Sequence, residues 1–155
     1  MYLWKCLKRG LISAKKNHQW EVGKWYKVDG DIKLGYNGFH ASRMITEAMG
    51  WQDGKVVAKV EIRGDFLETY DQVCCEEMRV IKAWWWSMVD SLDMERYVER
   101  NLRRWLNSEK LVHPSVVKSE IDDWARKRLY KLHKLHKKTE LKTHFPTLNL
   151  KGGSK

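Results

Sequence analysis

The 155 residues, 18.5 kDa, suffice for one ordinary domain with a helical appendage and are too few for two independent full-sized cores. Hydrophobic residues at 43% and aromatics at 12%, with nine Trp, exclude a disordered chain. Thirty Lys and Arg against twenty Asp and Glu leave +10 with His neutral, a balance that favours a polyanion or an acidic surface as partner and excludes nothing about the fold.

No run approaches the ~18 apolar residues of a membrane span, and Met1-Tyr2-Leu3-Trp4-Lys5-Cys6 has no signal-peptide core, so a cytoplasmic location and no membrane partner are expected. Three cysteines, two of them adjacent at Cys74 and Cys75, fit reduced thiols better than a disulfide framework.

In chain order, the first half reads as short strands with turn punctuation. Residues 2–7 and 25–28 are strand candidates, and residues 56–62 and 78–84 are β-branched and aromatic runs of the same kind. Asp29-Gly30, Asn37-Gly38 and Asp53-Gly54 supply residues that tolerate positive φ. One short helix is predicted over 43–49 behind a Ser42 cap, with Met44, Ile45, Ala48 and Met49 on one side and Gly50 ending it. Arg63-Gly64-Asp65 reads as a turn after a strand, and one member of the Cys74-Cys75 pair is expected in the core, because adjacent strand residues point to opposite faces. The Trp84-Trp85-Trp86 run is expected to be mostly core, with at least one indole partly exposed.

After Trp86 the period changes from two to about 3.6. Ser87 or Asp90 can cap a helix reaching about residue 107, with Val89, Met94, Val98, Leu102, Trp105 and Leu106 as its apolar stripe. His113-Pro114-Ser115 then opens a second helix over about 116–138, whose inward positions are Val117, Ile121, Trp124, Ala125, Leu129, Leu132 and Leu135. Residues 139–155 have a flexible composition.

Charge is concentrated late: residues 1–82 carry fourteen basic and eleven acidic side chains, residues 83–155 sixteen and nine. Arg126, Lys127, Arg128, Lys131, Lys134, Lys137, Lys138 and Lys142 are opposed only by Glu140. Such a stretch can contact several phosphates and release their counterions, while Tyr130, His133 and His136 add stacking and hydrogen-bonding groups. His133 and His136 share a helical face, but no third ligand recurs near them and the lysines repel a cation, so no metal site is expected.

Tyr2 with Lys5-Cys6, Gly23-Lys24 with Tyr26, the segment Gly38-Phe39-His40-Ala41-Ser42, the strand ending Gly64-Asp65, and Asp71-Gln72-Val73-Cys74 leading into Met78-Arg79-Val80 follow one another in an order that resembles a family of small bacteriophage and prophage proteins with a GFHA(C or S) turn. The resemblance covers residues 1–83 and implies a phage context, hence the cytoplasm of a host cell. A second, weaker likeness is to ADP-ribosyltransferases. It implies a pocket for NAD lined by Phe39, His40 and Ser42, with Glu77, or Glu76, stabilising an oxocarbenium-like centre. Leu3-Trp4-Lys5-Cys6 holds neither the His nor the Arg of the two main classes, and Glu76-Glu77 is not their spaced pair.

The sequence therefore predicts an α+β protein: a small, mostly antiparallel sheet with one short helix over 1–86, a helical pair over 87–138 on or beside it, and a basic tail over 139–155. The expected function is non-catalytic binding of nucleic acid, or of a nucleic-acid-containing host complex, through Arg126, Lys127, Arg128, Tyr130, Lys131, Lys134, Lys137 and Lys138, with no cofactor. Two alternatives stand beside it. One is an NAD-dependent transferase using His40, Ser42 and Glu77; the other is an inhibitor that binds a host protein.

Overall fold

The computed structural model describes residues 1–13, 17–50, 55–106 and 113–138, the backbone alone at 132–138 and at some positions between 88 and 106. Its architecture is the α+β arrangement expected, a five-stranded antiparallel sheet with three helices.

Tyr2–Leu7 (β1) alternates, and its register runs from Tyr2 opposite Glu61 to Leu7 opposite Val56 on the long strand Val56–Glu68 (β4). That strand pairs along its length with Val73–Trp85 (β5). The other edge of β5 takes Trp25–Lys27 (β2) at Met78 and Phe39–Ala41 (β3) at Cys74. Just past β3, Ser42 exchanges two backbone hydrogen bonds with Trp4, each 2.8 Å. That exchange joins β3 to β1 and closes β1, β4, β5 and β3 into a small ring, which leaves β1 no free edge there.

Both faces of this sheet are covered. Leu3, Leu7, Trp20, Val60, Met78 and Val80 fill one side, with Tyr26 and Phe39 against them. On the other, Val57 and Trp86 pack with Ile45 of the short helix Ile45–Gly50 (α1) and with Ala125 and Leu129 of Pro114–Lys138 (α3). Met88–Leu106 (α2) lies between β5 and α3 in the chain. It opens on a reciprocal cap in which the Ser87 hydroxyl accepts the Asp90 amide and the Asp90 carboxylate accepts both the Ser87 amide and hydroxyl. The three tryptophans divide as expected: Trp86 is buried, Trp84 half-buried, and Trp85 43% exposed.

Three expectations are corrected. Arg63-Gly64-Asp65 is not a turn after a strand: β4 continues to Glu68 through a bulge between Arg63 and Phe66, where Gly64 takes φ +74°. Cys74 and Cys75 are both buried, because the segment before β3 covers one face of β5 while the core covers the other; their thiols reach the carbonyls of Asn37 and Phe39. Ser42 does not cap α1. Its backbone is committed to Trp4, and the amides of Ile45 and Thr46 are instead received by the buried carboxylate of Asp122, from α3. The turn expected at Asp53-Gly54 and the tail over 139–155 lie outside the described residues.

Candidate functional site

The basic helix α3 divides around its circumference. Ala125 and Leu129 are buried against the sheet layer, so the helix has a fixed inward face. Arg126 and Arg128, expected to meet an external anion, are turned to internal carboxylates. Arg126 Nε donates to Asp122 at 2.7 Å, and its guanidinium lies over Trp4. Arg128 Nε donates to Asp90 at 2.8 Å, and its Nη2 sits 3.0 Å from Asp93, tying α3 to the start of α2. Burial alone would raise the Asp90 pKa, but the Ser87 hydroxyl, Arg128 and the Ser87 amide together hold it below the usual carboxylate value. Lys118 pairs with Glu47 of α1 at 2.6 Å, so this helix is pinned to both of its helical neighbours.

Lys127, Tyr130 and Lys131 are exposed, and no carboxylate of the described residues pairs with either lysine. Positions 127, 131, 134 and 138 recur at intervals of four, three and four, which places them in one row along the side of α3 away from Ala125 and Leu129, with 130 and 137 flanking it. At 1.5 Å per residue that row spans about 16 Å of helix axis. His133 and His136 share a turn by position only, and no group of three metal-ligating side chains occurs among the described residues.

A concave feature lies at the junction of β1 and β3. A cavity of about 620 Å³ is lined by Trp4, Lys5, His18, Phe39, His40 and Ser42, among others. The Gly38-Phe39-His40-Ala41-Ser42 segment is shaped for this place. Gly38 takes φ +127°, and a Cβ there would meet Cys74 Sγ at 2.3 Å, so no larger residue fits without displacement. The imidazole Nε2 of His40 accepts the Gly35 amide at 3.2 Å. His40 and Ser42 are thus brought together at the cavity, and Glu77 is not. It faces Arg63 across the β4–β5 pair and lies 3.8 Å from Lys27, while Glu76 pairs with Lys27 at 2.8 Å.

Sequence reasoning did not single out Lys5. Its side chain is 6% exposed, it sits on the inward row with Leu3 and Leu7, and its Nζ donates to the His40 carbonyl at 2.6 Å. Burial lowers its pKa to about 8 from 10.5, against a smaller opposing influence of the Cys75, Cys6 and Cys74 thiols. The available signal was a lysine at an inward position of an alternating strand.

A family model described as a domain of unknown function, DUF7666, matches residues 1–92, which contain the whole sheet and the cavity. No curated protein and no solved structure matches the chain.

Proposed function

The chain belongs to the DUF7666 family through its sheet, and we propose that it is a non-catalytic accessory protein of phage type that binds nucleic acid, or a host complex containing it, through the outward row of α3. What supports this reading is the division of charge on that helix: Arg126 and Arg128 are matched by carboxylates, while Lys127 and Lys131 are exposed with none among the described residues. Lys127, Lys131, Lys134 and Lys138, flanked by Lys137, supply the phosphate contacts, and Tyr130 or Trp85 supplies a stacking face. A row of point charges on one helix face reads the spacing of phosphates and carries no base readout, so affinity without sequence preference is the contribution.

The test is the salt dependence of binding to duplex and single-stranded oligonucleotides. About four neutralised phosphates on a duplex give a log–log slope of about −3.6. Replacing Lys127, Lys131, Lys134 and Lys138 together with Glu should abolish binding and leave the circular-dichroism spectrum and melting temperature in place. Unchanged binding by that variant rejects the reading. A complex that survives salt belongs instead to a protein-binding inhibitor of a host factor, for which the exposed Phe66, Leu67 and Tyr70 around the β4–β5 turn offer an apolar surface. Transfer of label from NAD, lost in Glu77→Gln, would establish the transferase alternative.

A further inference from the structure

We propose that the cavity between β1 and β3 binds a small organic monoanion, a carboxylate carried on an apolar body, with the Lys5 ammonium as its counter-charge. The site lies outside α3 and is independent of polyanion binding by that helix.

The buried ammonium is the starting point. Lysine is seldom enclosed unless its charge is answered, and no carboxylate of the described residues answers this one. Among the described residues its one acceptor is the His40 carbonyl, and the Trp20 ring lies 5.7 Å from Nζ. An ammonium has three donors, so two remain for an acceptor brought from outside.

A second group points to the same space. His18 lines the cavity, and its Nε2 is buried without a hydrogen-bond partner among the described residues. The ring is held on edge by Trp20 and Tyr26, at 4.5 and 4.6 Å between centroids, so it cannot readily swing out to water. Burial, and then the charge of Lys5, lower its pKa, which keeps the imidazole neutral and able to serve one oxygen of a ligand without adding charge.

Charge at the site selects a monoanion. Lys27, at the rim, is already matched by Glu76, and Asp29 beside it is negative, so Lys5 is the one lining cation left unmatched by a carboxylate among the described residues. A phosphate dianion or a diphosphate would exceed that single charge, whereas a carboxylate equals it. Trp4, Val28, Phe39, Ala41 and Ala48 give the wall an apolar part for the body of the ligand, beside the polar Ser13, Asn37, Ser42 and Gln72, and the space is of the size that holds a small ligand.

The experiment titrates the full chain with benzoate, indole-3-acetate and hexanoate, each alongside its neutral amide, and with inorganic phosphate, following amide and lysine NMR signals. The expected result is saturable shifts at His18, Phe39 and His40 with at least one carboxylate, at least tenfold weaker binding of the matching amide, and at least tenfold weaker binding of the carboxylate to Lys5→Met. Failure of all three carboxylates to shift these signals at millimolar concentration overturns the proposal. So does equal binding of acid and amide, or tighter binding of phosphate. The comparison of acid with amide uses the unaltered protein, so it decides the matter even if Lys5→Met does not fold.

Discussion

The carboxylate of Asp122, in α3, accepts the backbone amide of Ile45, the first residue of α1, across 77 positions of sequence. The same side chain reaches the Thr46 amide at 3.4 Å and accepts from Arg126 Nε at 2.7 Å, although it is itself buried. A single acid thus serves as the missing cap of α1 and as the anchor of the basic helix. Asp122→Ala removes both, leaving buried amides unpaired, and should cost about 1–3 kcal/mol. In a protein of this size that lowers the melting temperature by roughly 2–4 °C per kcal/mol. Asp122→Asn keeps an acceptor and should fall between the two in a urea titration.

Arg128 and Lys131 lie three residues apart on α3 and should behave oppositely. Arg128→Met leaves the buried Asp90 without its charged partner, so stability falls by about 1–3 kcal/mol while oligonucleotide affinity hardly moves. Lys131 is exposed and matched by no carboxylate among the described residues, so Lys131→Gln should leave stability within about 0.5 kcal/mol and reduce the salt slope by about one. Paired chemical denaturation and binding isotherms on the two variants distinguish a structural cation from a binding one. If both variants lose binding equally, the division of charge on this helix has no functional meaning.

Those two residues also show where sequence reading reaches its limit. Composition presents Arg126, Lys127, Arg128 and Lys131 as one basic block, and helical phase separates the inward Ala125 and Leu129 from the rest. Arg126 pairs with Asp122 four residues earlier on the same helix, a spacing the sequence displays, whereas the neutralisation of Arg128 depends on Asp90 and Asp93 arriving from α2, and no local pattern carries that. β1 was legible, with the bounds expected, because Leu3, Lys5 and Leu7 form one fully buried row at period two, although Cys6 on the other face is buried as well. Pattern reading failed at Gly64 and Asp65, where turn-forming residues sit inside a strand as a bulge. The closure between Trp4 and Ser42 is made by backbone groups alone, which any side chains could accompany.

Gly38 is constrained by the Cys74 side chain as well as by its own backbone conformation. Gly38→Ala must hold φ near +127° with a Cβ placed 2.3 Å from Cys74 Sγ, and it should lose about 2 kcal/mol or more. In the Cys74→Ala background the sulfur is gone and only the backbone strain remains, so the same glycine substitution should cost less. A double-mutant cycle by denaturant unfolding measures the difference, expected to be about 1 kcal/mol. A coupling near zero would mean that φ alone requires the glycine and that the close approach to Cys74 is irrelevant.

Lys5 imposes a pH dependence whose sign follows from its environment. Facing it are the Cys6 thiol from β1, Cys74 and Cys75 from β5, His18 from the segment before β2 and the His40 carbonyl from β3. Burial lowers its pKa from 10.5 to about 8, so between those values the unfolded chain binds a proton that the native state has released, and stability rises with pH. Over the whole window the rise is on the order of 3 kcal/mol. Cys75 acts in the opposite sense: burial raises its thiol to about 12 from 9.0, so above 9 the native state keeps a proton that the unfolded chain loses, and stability falls. The sum is a gain from about pH 8 to 9 followed by a levelling or decline. Lys5→Met removes the charged group, so the variant should be more stable than the parent at pH 7 and should show no rise between pH 8 and 9 in urea midpoints. A variant that keeps the rise would place its origin in some other group and remove the reason for regarding the Lys5 ammonium as unanswered.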